Sequence, residues 1–151
     1  MSIYNGTLSN NFSTQQFNTN KKCNNNNVLT IYKELGKEFI EHFYNTITNN
    51  IKDVSHMYQQ NTYITHNGVE LIGFNQYIEY FKSTLNIHKL EFELKKVDGQ
   101  PLDKNTLLIN IIGKVKANND NSTITEFSET FILGTFGKNY QITRQIFMTF
   151  N

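Results

Sequence analysis

Four consecutive segments in the second half of the chain have the length and side-chain pattern of β-strands, and this run constrains the fold most. The segments are 89–98, 106–117, 122–134 and 139–150. Residues 118–121 and 134–137 are rich in Asn and Gly, which favour turns. The lone Pro101 is expected in a loop, where it interrupts no strand pairing. The pattern predicts an antiparallel sheet of long strands.

Helical segments and one hairpin precede these strands. Apolar residues recur at three- and four-residue steps from Val28, which predicts a long amphipathic helix; they are Leu29, Tyr32, Leu35, Phe39, Phe43 and Ile47. A short helical stretch is expected over 51–58, and a third helix over 74–85. Between them, 62–66 and 69–72 flank Asn67-Gly68, a dipeptide suited to a two-residue turn with positive φ, which predicts a β-hairpin. The order predicts an α+β domain with helices on one face of the sheet.

The length of 151 residues fits one domain. Residues 1–27 are polar and Asn-rich, and they carry too few apolar side chains to offset the entropy of ordering the chain. We therefore expect 1–27 to be a disordered tail and 28–151 to be the domain. The alternative is that the isolated aromatic residues of the tail dock on the domain.

Charge and cysteine content argue against several classes of function. The formal net charge is +1 and Arg144 is the single arginine, so direct nucleic-acid binding is not expected. With Cys23 alone, the chain has no intramolecular disulfide and no cysteine-based metal site, which favours a reducing compartment. No apolar run long enough for a membrane span or a signal peptide occurs. His42, His56 and His88 lack the spacing of a metal site, so neither a metal nor a cofactor is expected.

The uncovered face of the sheet is not fully polar. In the segment 106–117, Leu107, Ile109, Ile111 and Val115 share one face, and Leu108 and Ile112 lie on the other. An uncovered face of this composition is more apolar than water alone favours, so it predicts a surface that pairs with another subunit. The residues expected to contact a partner there are Leu108, Asn110, Ile112, Lys114 and Ile132.

Glu129 is expected inside the domain. It shares the parity of Phe127 and Phe131, so burial of that face would desolvate its carboxyl group and raise the pKa. Two interpretations remain open. Glu129 is either the polar group of a ligand site, or it makes a structural hydrogen bond to a tyrosine such as Tyr44 or Tyr58.

Six segments together resemble the nuclear transport factor 2 family in order and spacing. They are 35–44 (LGKEFIEHFY), 64–68 (ITHNG), 97–101 (VDGQP), 112–116 (IGKVK), 126–133 (EFSETFIL) and the closing Ile146-Phe147. The resemblance spans about residues 28 to 151. It implies a cone-like, strongly curved antiparallel sheet with three helices on one face, a topology shared with cystatin-like proteins. It also implies a nucleocytoplasmic transport adaptor, present in nucleus and cytoplasm and associated with the nuclear pore.

Two branches of that family are relevant. The homodimeric carrier imports GDP-bound Ran, using a Trp-Glu-Gly hairpin and an acidic Asp-Glu-Asp turn. Here the corresponding positions are His66-Asn67-Gly68 and Asn118-Asn119-Asp120. The other branch is the small subunit of a messenger-RNA export receptor, which pairs with a similar domain of a larger protein and has Asn-Gly in its hairpin. The resemblance therefore favours the export heterodimer, with the Ran carrier as the alternative and Phe-Gly nucleoporins as further candidate partners.

The resemblance also assigns partner contacts at the mouth of the cone to His66, Asn67, Asp120, Phe147 and Met148. Both branches usually carry Arg or Lys at the position of Met148. For His66 itself, we expect a solvent-exposed position in the turn rather than a contact with a partner. A second alternative is an isomerase or dehydratase of the same fold, in which Glu129 and a tyrosine would act together. No isomerase spacing supports it, so we do not expect an enzyme.

Overall fold

The computed structural model describes residues 26–136 and 139–150, with side chains for residues 34–135 and 139–150. The elements are α1 (Asn26–Asn49), a 3₁₀ helix (Ile51–Met57), β1 (Tyr58–His66), β2 (Val69–Ile72), α2 (Gly73–Tyr80) with a π-helical turn (Phe81–Leu85), β3 (Leu90–Asp103), β4 (Thr106–Ala117), a short 3₁₀ turn (Asn121–Thr123), β5 (Thr125–Phe136) and β6 (Asn139–Phe150). Residues 1–25 of the expected tail lie outside the described part.

The six strands form one sheet in the order β2-β1-β6-β5-β4-β3. Neighbouring strands are antiparallel except β1 and β6, which are parallel. Register shifts interrupt the β3–β4 pair between Leu94 and Lys96 and the β5–β6 pair between Ile132 and Leu133. Such irregularities bend a strand and increase its twist, so they help the long strands to curve. The α+β fold with helices on one face is confirmed.

The core lies between the inner face of the sheet and the helices. Phe43 of α1 contacts Phe131 of β5 edge-to-face, with ring centroids 4.9 Å apart. Ile40 and Tyr44 are also fully buried, so the apolar stripe of α1 is wider than predicted. The side chains of Leu29 and Tyr32 lie outside the described residues. Burial of each large apolar side chain contributes roughly 1.5–3 kcal/mol to the stability of the fold, so this layer of aromatic side chains is its main source of stability.

One expectation about local structure is wrong. Pro101 does not lie in a loop but in β3, opposite Leu107. Because β3 is an edge strand, proline can occupy it without interrupting an internal ladder. The short helical stretch expected over 51–58 is confirmed as a 3₁₀ helix that ends one residue earlier, at Met57, because Tyr58 begins β1. Among the described residues, no helix combines the length and apolar character needed to cross a bilayer.

Candidate functional site

The sheet presents two different surfaces, and alternation along β6 shows how they are separated. Phe147 is buried and lines the cavity of the cone, whereas its neighbour Met148 is 49% exposed on the opposite face. Successive side chains of a strand point to opposite faces, so this separation continues along the strand. The expectation that Met148 belongs to the mouth of the cone is therefore wrong: it lies on the outer face.

Exposed apolar side chains form a patch on the outer face. On β6, Ile146, Met148 and Phe150 are 45%, 49% and 44% exposed, and Ile112 of β4 is 38% exposed. Ser128 of β5 lies between Ile112 and Met148 in register, which brings the two strands' contributions into one row. We call Ile112, Ile146, Met148 and Phe150 the outer-face patch. Several large apolar side chains exposed together on one face of a sheet are typical of an interaction site.

The five residues expected on this face are all there, and none of them is fully buried. They are Leu108, Asn110, Ile112, Lys114 and Ile132. Leu108 lies opposite Ile132, and Lys114 lies opposite Glu126. Asn110 donates from Nδ2 to Thr130 Oγ1 at 2.8 Å and lies 3.2 Å from Ser128 Oγ, so it ties β4 to β5. That these residues bind a partner stays a prediction.

Sequence reasoning missed Ile146 and Phe150. The signal that could have found them is the alternation of β6, because Ile146, Met148 and Phe150 all have the parity opposite to that of Phe147. The resemblance to the family draws attention to the Ile146-Phe147 pair as a motif, whereas the alternation of side chains along the strand identifies Ile146 and Phe150 as outward-facing.

The inner surface lines a cavity of about 310 Å³ that is open to solvent. Apolar walls come from α2, its π-helical turn and the strands β3 and β4, and include Phe81, Leu85, Leu90, Phe92 and Val115. Polar lining groups include Glu129 and Gln145. Its size is near the lower end of the range typical of small-molecule sites.

Glu129 lies in this cavity at the centre of a buried hydrogen-bond network. Tyr44 donates its hydroxyl to Oε1 at 2.6 Å, and Gln145 donates Nε2 to Oε2 at 2.8 Å. Tyr58 in turn donates to Gln145 Oε1 at 2.6 Å. Burial raises the pKa of Glu129 from 4.5 to about 7, although the two donated hydrogen bonds act in the opposite direction. The predicted inward position, the raised pKa and the tyrosine partner are confirmed.

His66 is buried, and the expectation of a solvent-exposed turn residue is wrong. It is the last residue of β1 and has inward parity, while Asn67 and Gly68 make the turn with positive φ. Its ring stacks on Phe147 at a centroid distance of 4.7 Å, and Nδ1 is hydrogen-bonded to the hydroxyl of Tyr77 at 2.9 Å. Burial lowers the pKa of His66 from 6.5 to about 4, so the imidazole stays neutral near pH 7.

The two other polar residues assigned to the mouth have local structural contacts. Asn67 accepts a hydrogen bond at Oδ1 from the Thr149 main-chain N–H at 2.8 Å, which fastens the hairpin to β6. Asp120 accepts from the hydroxyl and the main-chain N–H of Ser122, and these bonds lower the pKa of its carboxyl group. Asn118 and Asn119 both have positive φ, which asparagine tolerates better than most residues. The turn at 118–120 is thus determined by the positive φ of its two asparagines and by the hydrogen bonds of Asp120 to Ser122.

Comparison with known proteins establishes the family. The model of the nuclear transport factor 2 domain matches residues 35–149, and the chain belongs to this family. A curated relative, "Probable nuclear transport factor 2" of Caenorhabditis elegans, is 28% identical over 108 residues, which cover 68% of this chain and 79% of the relative.

Solved structures of the same fold include nuclear transport factor 2 from Cryptosporidium parvum. It matches with a TM-score of 0.69 and 24% identity, over 79% of this chain and 94% of that one. A chain of the complex of yeast deubiquitinase Ubp3 with its cofactor Bre5 matches with a TM-score of 0.66 and 17% identity, over 79% and 97% of the two chains. At these identities the likeness establishes the fold.

Proposed function

We propose that this protein is a nucleocytoplasmic transport adaptor that docks a second domain of the same fold against its outer face, as the small subunit of a messenger-RNA export receptor. The observation that carries the proposal is the outer-face patch. Four large apolar side chains on two nearby strands stay 38–49% exposed in the isolated chain. Covering them with a partner removes apolar surface from water, which is the main driving force for most protein association.

The dimensions of the face fit a sheet-to-sheet interface. Four strands about 4.8 Å apart, with about ten residues each at about 3.3 Å, give a face of roughly 20 by 33 Å. That is on the order of 650 Å², close to the ~800 Å² that each partner buries in an interface of standard size. A second curved sheet matches such a surface, since two sheets pack with their side chains interdigitated. The Bre5 neighbour, named as a cofactor in a complex, supports a partner-binding role for the fold.

The mouth of the cone favours the export subunit over the Ran carrier. The carrier pattern implies carboxylates in the hairpin and in the turn at 118–120. Here Asp120 supplies one carboxylate, and it is engaged with Ser122. A buried His66 stacked on Phe147 occupies the position of the carrier's tryptophan. The carrier stays the alternative function, which the name of the C. elegans relative favours. In either role the chain would move between nucleus and cytoplasm, with Phe-Gly nucleoporins as candidate contacts.

We also propose that the cavity supports the cone and does not catalyse a reaction. Both oxygens of Glu129 accept hydrogen bonds from neighbours, and His66 is hydrogen-bonded to Tyr77. Groups held in this way stabilise a fold, since buried polar atoms are normally satisfied. The alternative hypothesis is that the protein is an isomerase or dehydratase of the same fold. A thermal-shift screen with hydrophobic carbonyl compounds tests it, because a tight ligand raises the melting temperature.

The partner proposal is tested by co-expression with the similar domain of a larger export receptor from the same cell. Light scattering on the purified material should show a heterodimer. A variant Ile112→Asp should lose it, because a carboxylate would be desolvated at the centre of the interface. Val69→Asp is the matched control, since Val69 is also a strand residue that is 38% exposed, but lies in the hairpin.

The outcomes separate the candidates. A heterodimer that Ile112→Asp abolishes and Val69→Asp preserves supports the export subunit. A stable homodimer that binds GDP-bound Ran supports the carrier. A monomer that binds neither partner, or binding that both substitutions reduce equally, would show that the outer-face patch is not the docking surface.

A further inference from the structure

Two histidine side chains from different helices face each other in a surface cleft. His42 lies on the exposed side of α1, directly before the fully buried Phe43. His56 is exposed near the end of the 3₁₀ helix, directly before the buried Met57. Their Nε2 atoms are 3.0 Å apart and the ring centroids are 5.2 Å apart. The fold thus brings together two imidazoles that are separated by 14 positions in the sequence.

We propose that His42 and His56 form a binding site for a divalent transition-metal ion, with Zn²⁺ as the expected occupant. Zn²⁺ binds neutral imidazole nitrogens at about 2.0–2.1 Å in tetrahedral geometry, which places two such nitrogens about 3.4 Å apart. The observed separation is shorter by a few tenths of an ångström, and the exposed rings can open by that amount. Without metal, the same two atoms share one N–H···N hydrogen bond, so the metal takes the place of the shared proton.

Neighbouring groups contact the ring of His42 and the main chain of His56. The Oγ1 atom of Thr46, one turn further along α1, lies 3.4 Å from Nδ1 of His42. When Nε2 binds the metal, Nδ1 carries the proton and donates it to this oxygen, which is the usual support of a histidine ligand. Gln141 of β6 donates from Nε2 to the main-chain oxygen of His56 at 3.4 Å, so the 3₁₀ helix is also anchored to the sheet.

The cleft supplies the remaining coordination positions. It has a volume of about 390 Å³ and is bordered by both histidines and by Glu38. Glu38 lies four residues before His42, on the same side of α1. Within the described residues, no three His, Cys, Asp or Glu side chains already form a metal-binding group. A rotation of the Glu38 side chain therefore has to bring in the third ligand, and water completes the shell. Two imidazoles favour Zn²⁺ over Mg²⁺ or Ca²⁺, which prefer oxygen ligands.

Calorimetric titration of the full-length, tag-free protein with ZnCl₂ tests this site. One Zn²⁺ per chain should bind, and MgCl₂ should give no heat of binding. His42→Ala and His56→Ala should each weaken Zn²⁺ binding at least about tenfold, because one imidazole alone is a poor chelator. His88→Ala, at another exposed histidine, and Cys23→Ser, at the single thiol, should bind as the wild type does. If His42→Ala and His56→Ala also bind as the wild type does, the site is refuted.

A pair of glutamate variants tests the third ligand. Glu38→Gln should weaken Zn²⁺ binding several-fold, whereas Glu41→Gln, on the same helix but outside the cleft, should not. Equal binding by the two variants would overturn the assignment of Glu38. Saturating Zn²⁺ should also raise the melting temperature of the wild type, and this shift should disappear in His56→Ala, because only the folded chain brings the two rings together.

Discussion

Two buried groups inside the cone have pKa values displaced in opposite directions, and their effects on stability should cancel. Burial raises the pKa of Glu129 from 4.5 to about 7 and lowers that of His66 from 6.5 to about 4. The contribution of Glu129 is complete below pH 4.5 and is lost as the pH rises through 7. The contribution of His66 is complete above pH 6.5 and is lost as the pH falls through 4.

The magnitudes follow from the overlap of these ranges. A pKa unit corresponds to about 1.4 kcal/mol, so between pH 5.0 and 6.5 each group changes the free energy of unfolding by about 1.5–2 kcal/mol. The two changes have opposite signs and nearly cancel. The pKa values of Glu91, Asp103 and Asp120 are lowered from 4.5 or 3.8, so these groups act mainly below this window.

Urea unfolding of the wild type, Glu129→Gln and His66→Gln at several pH values between 5.0 and 6.5 measures the effect. The wild type should show a nearly constant free energy of unfolding. Glu129→Gln should become more stable by about 1.5–2 kcal/mol as the pH rises, because of the two groups with displaced pKa values only His66 remains, and His66→Gln should become less stable by a similar amount. Each variant is compared with itself, so a uniform loss of stability does not matter. A flat profile for Glu129→Gln would refute the reasoning.

Two further predictions concern stability. Tyr44→Phe removes the donor to Glu129 Oε1 and should lower the free energy of unfolding by about 1–3 kcal/mol in urea titrations. A Cβ at Gly113 would collide with the main-chain oxygen of Glu93 in the neighbouring strand, so Gly113→Ala should cost about 3 kcal/mol or more. A Cβ at Gly68 would lie in open space, and the substitution Gly68→Ala would only strain the positive φ, so it should cost about 1–2 kcal/mol. If Gly68→Ala lowers the melting temperature more than Gly113→Ala does, the explanations of both substitutions are contradicted.

The sequence was sufficient for the elements whose pattern is local. The period of α1, the Asn67-Gly68 turn and the strands 106–117 and 139–150 were predicted with the right type and nearly the right bounds. His66 could not be placed in this way. Its burial depends on Phe147, which follows it in the chain by more than 80 residues and reaches it only because β1 and β6 pair in parallel. The contact of His42 with His56 is likewise a product of how two helices meet.

The separation of faces along β6 has a consequence for how this protein can acquire a partner. Inside the cone, Phe147 stacks on His66 and Gln145 is hydrogen-bonded to Glu129. Ile146 and Met148, which alternate with them along β6, lie on the outer face. Substitutions at the outward positions should change the proposed docking surface and leave the buried network intact, because successive side chains of a strand point to opposite faces. Binding specificity can therefore change at little cost in stability, whereas a shift of one residue in the register of β6 would disrupt both surfaces together.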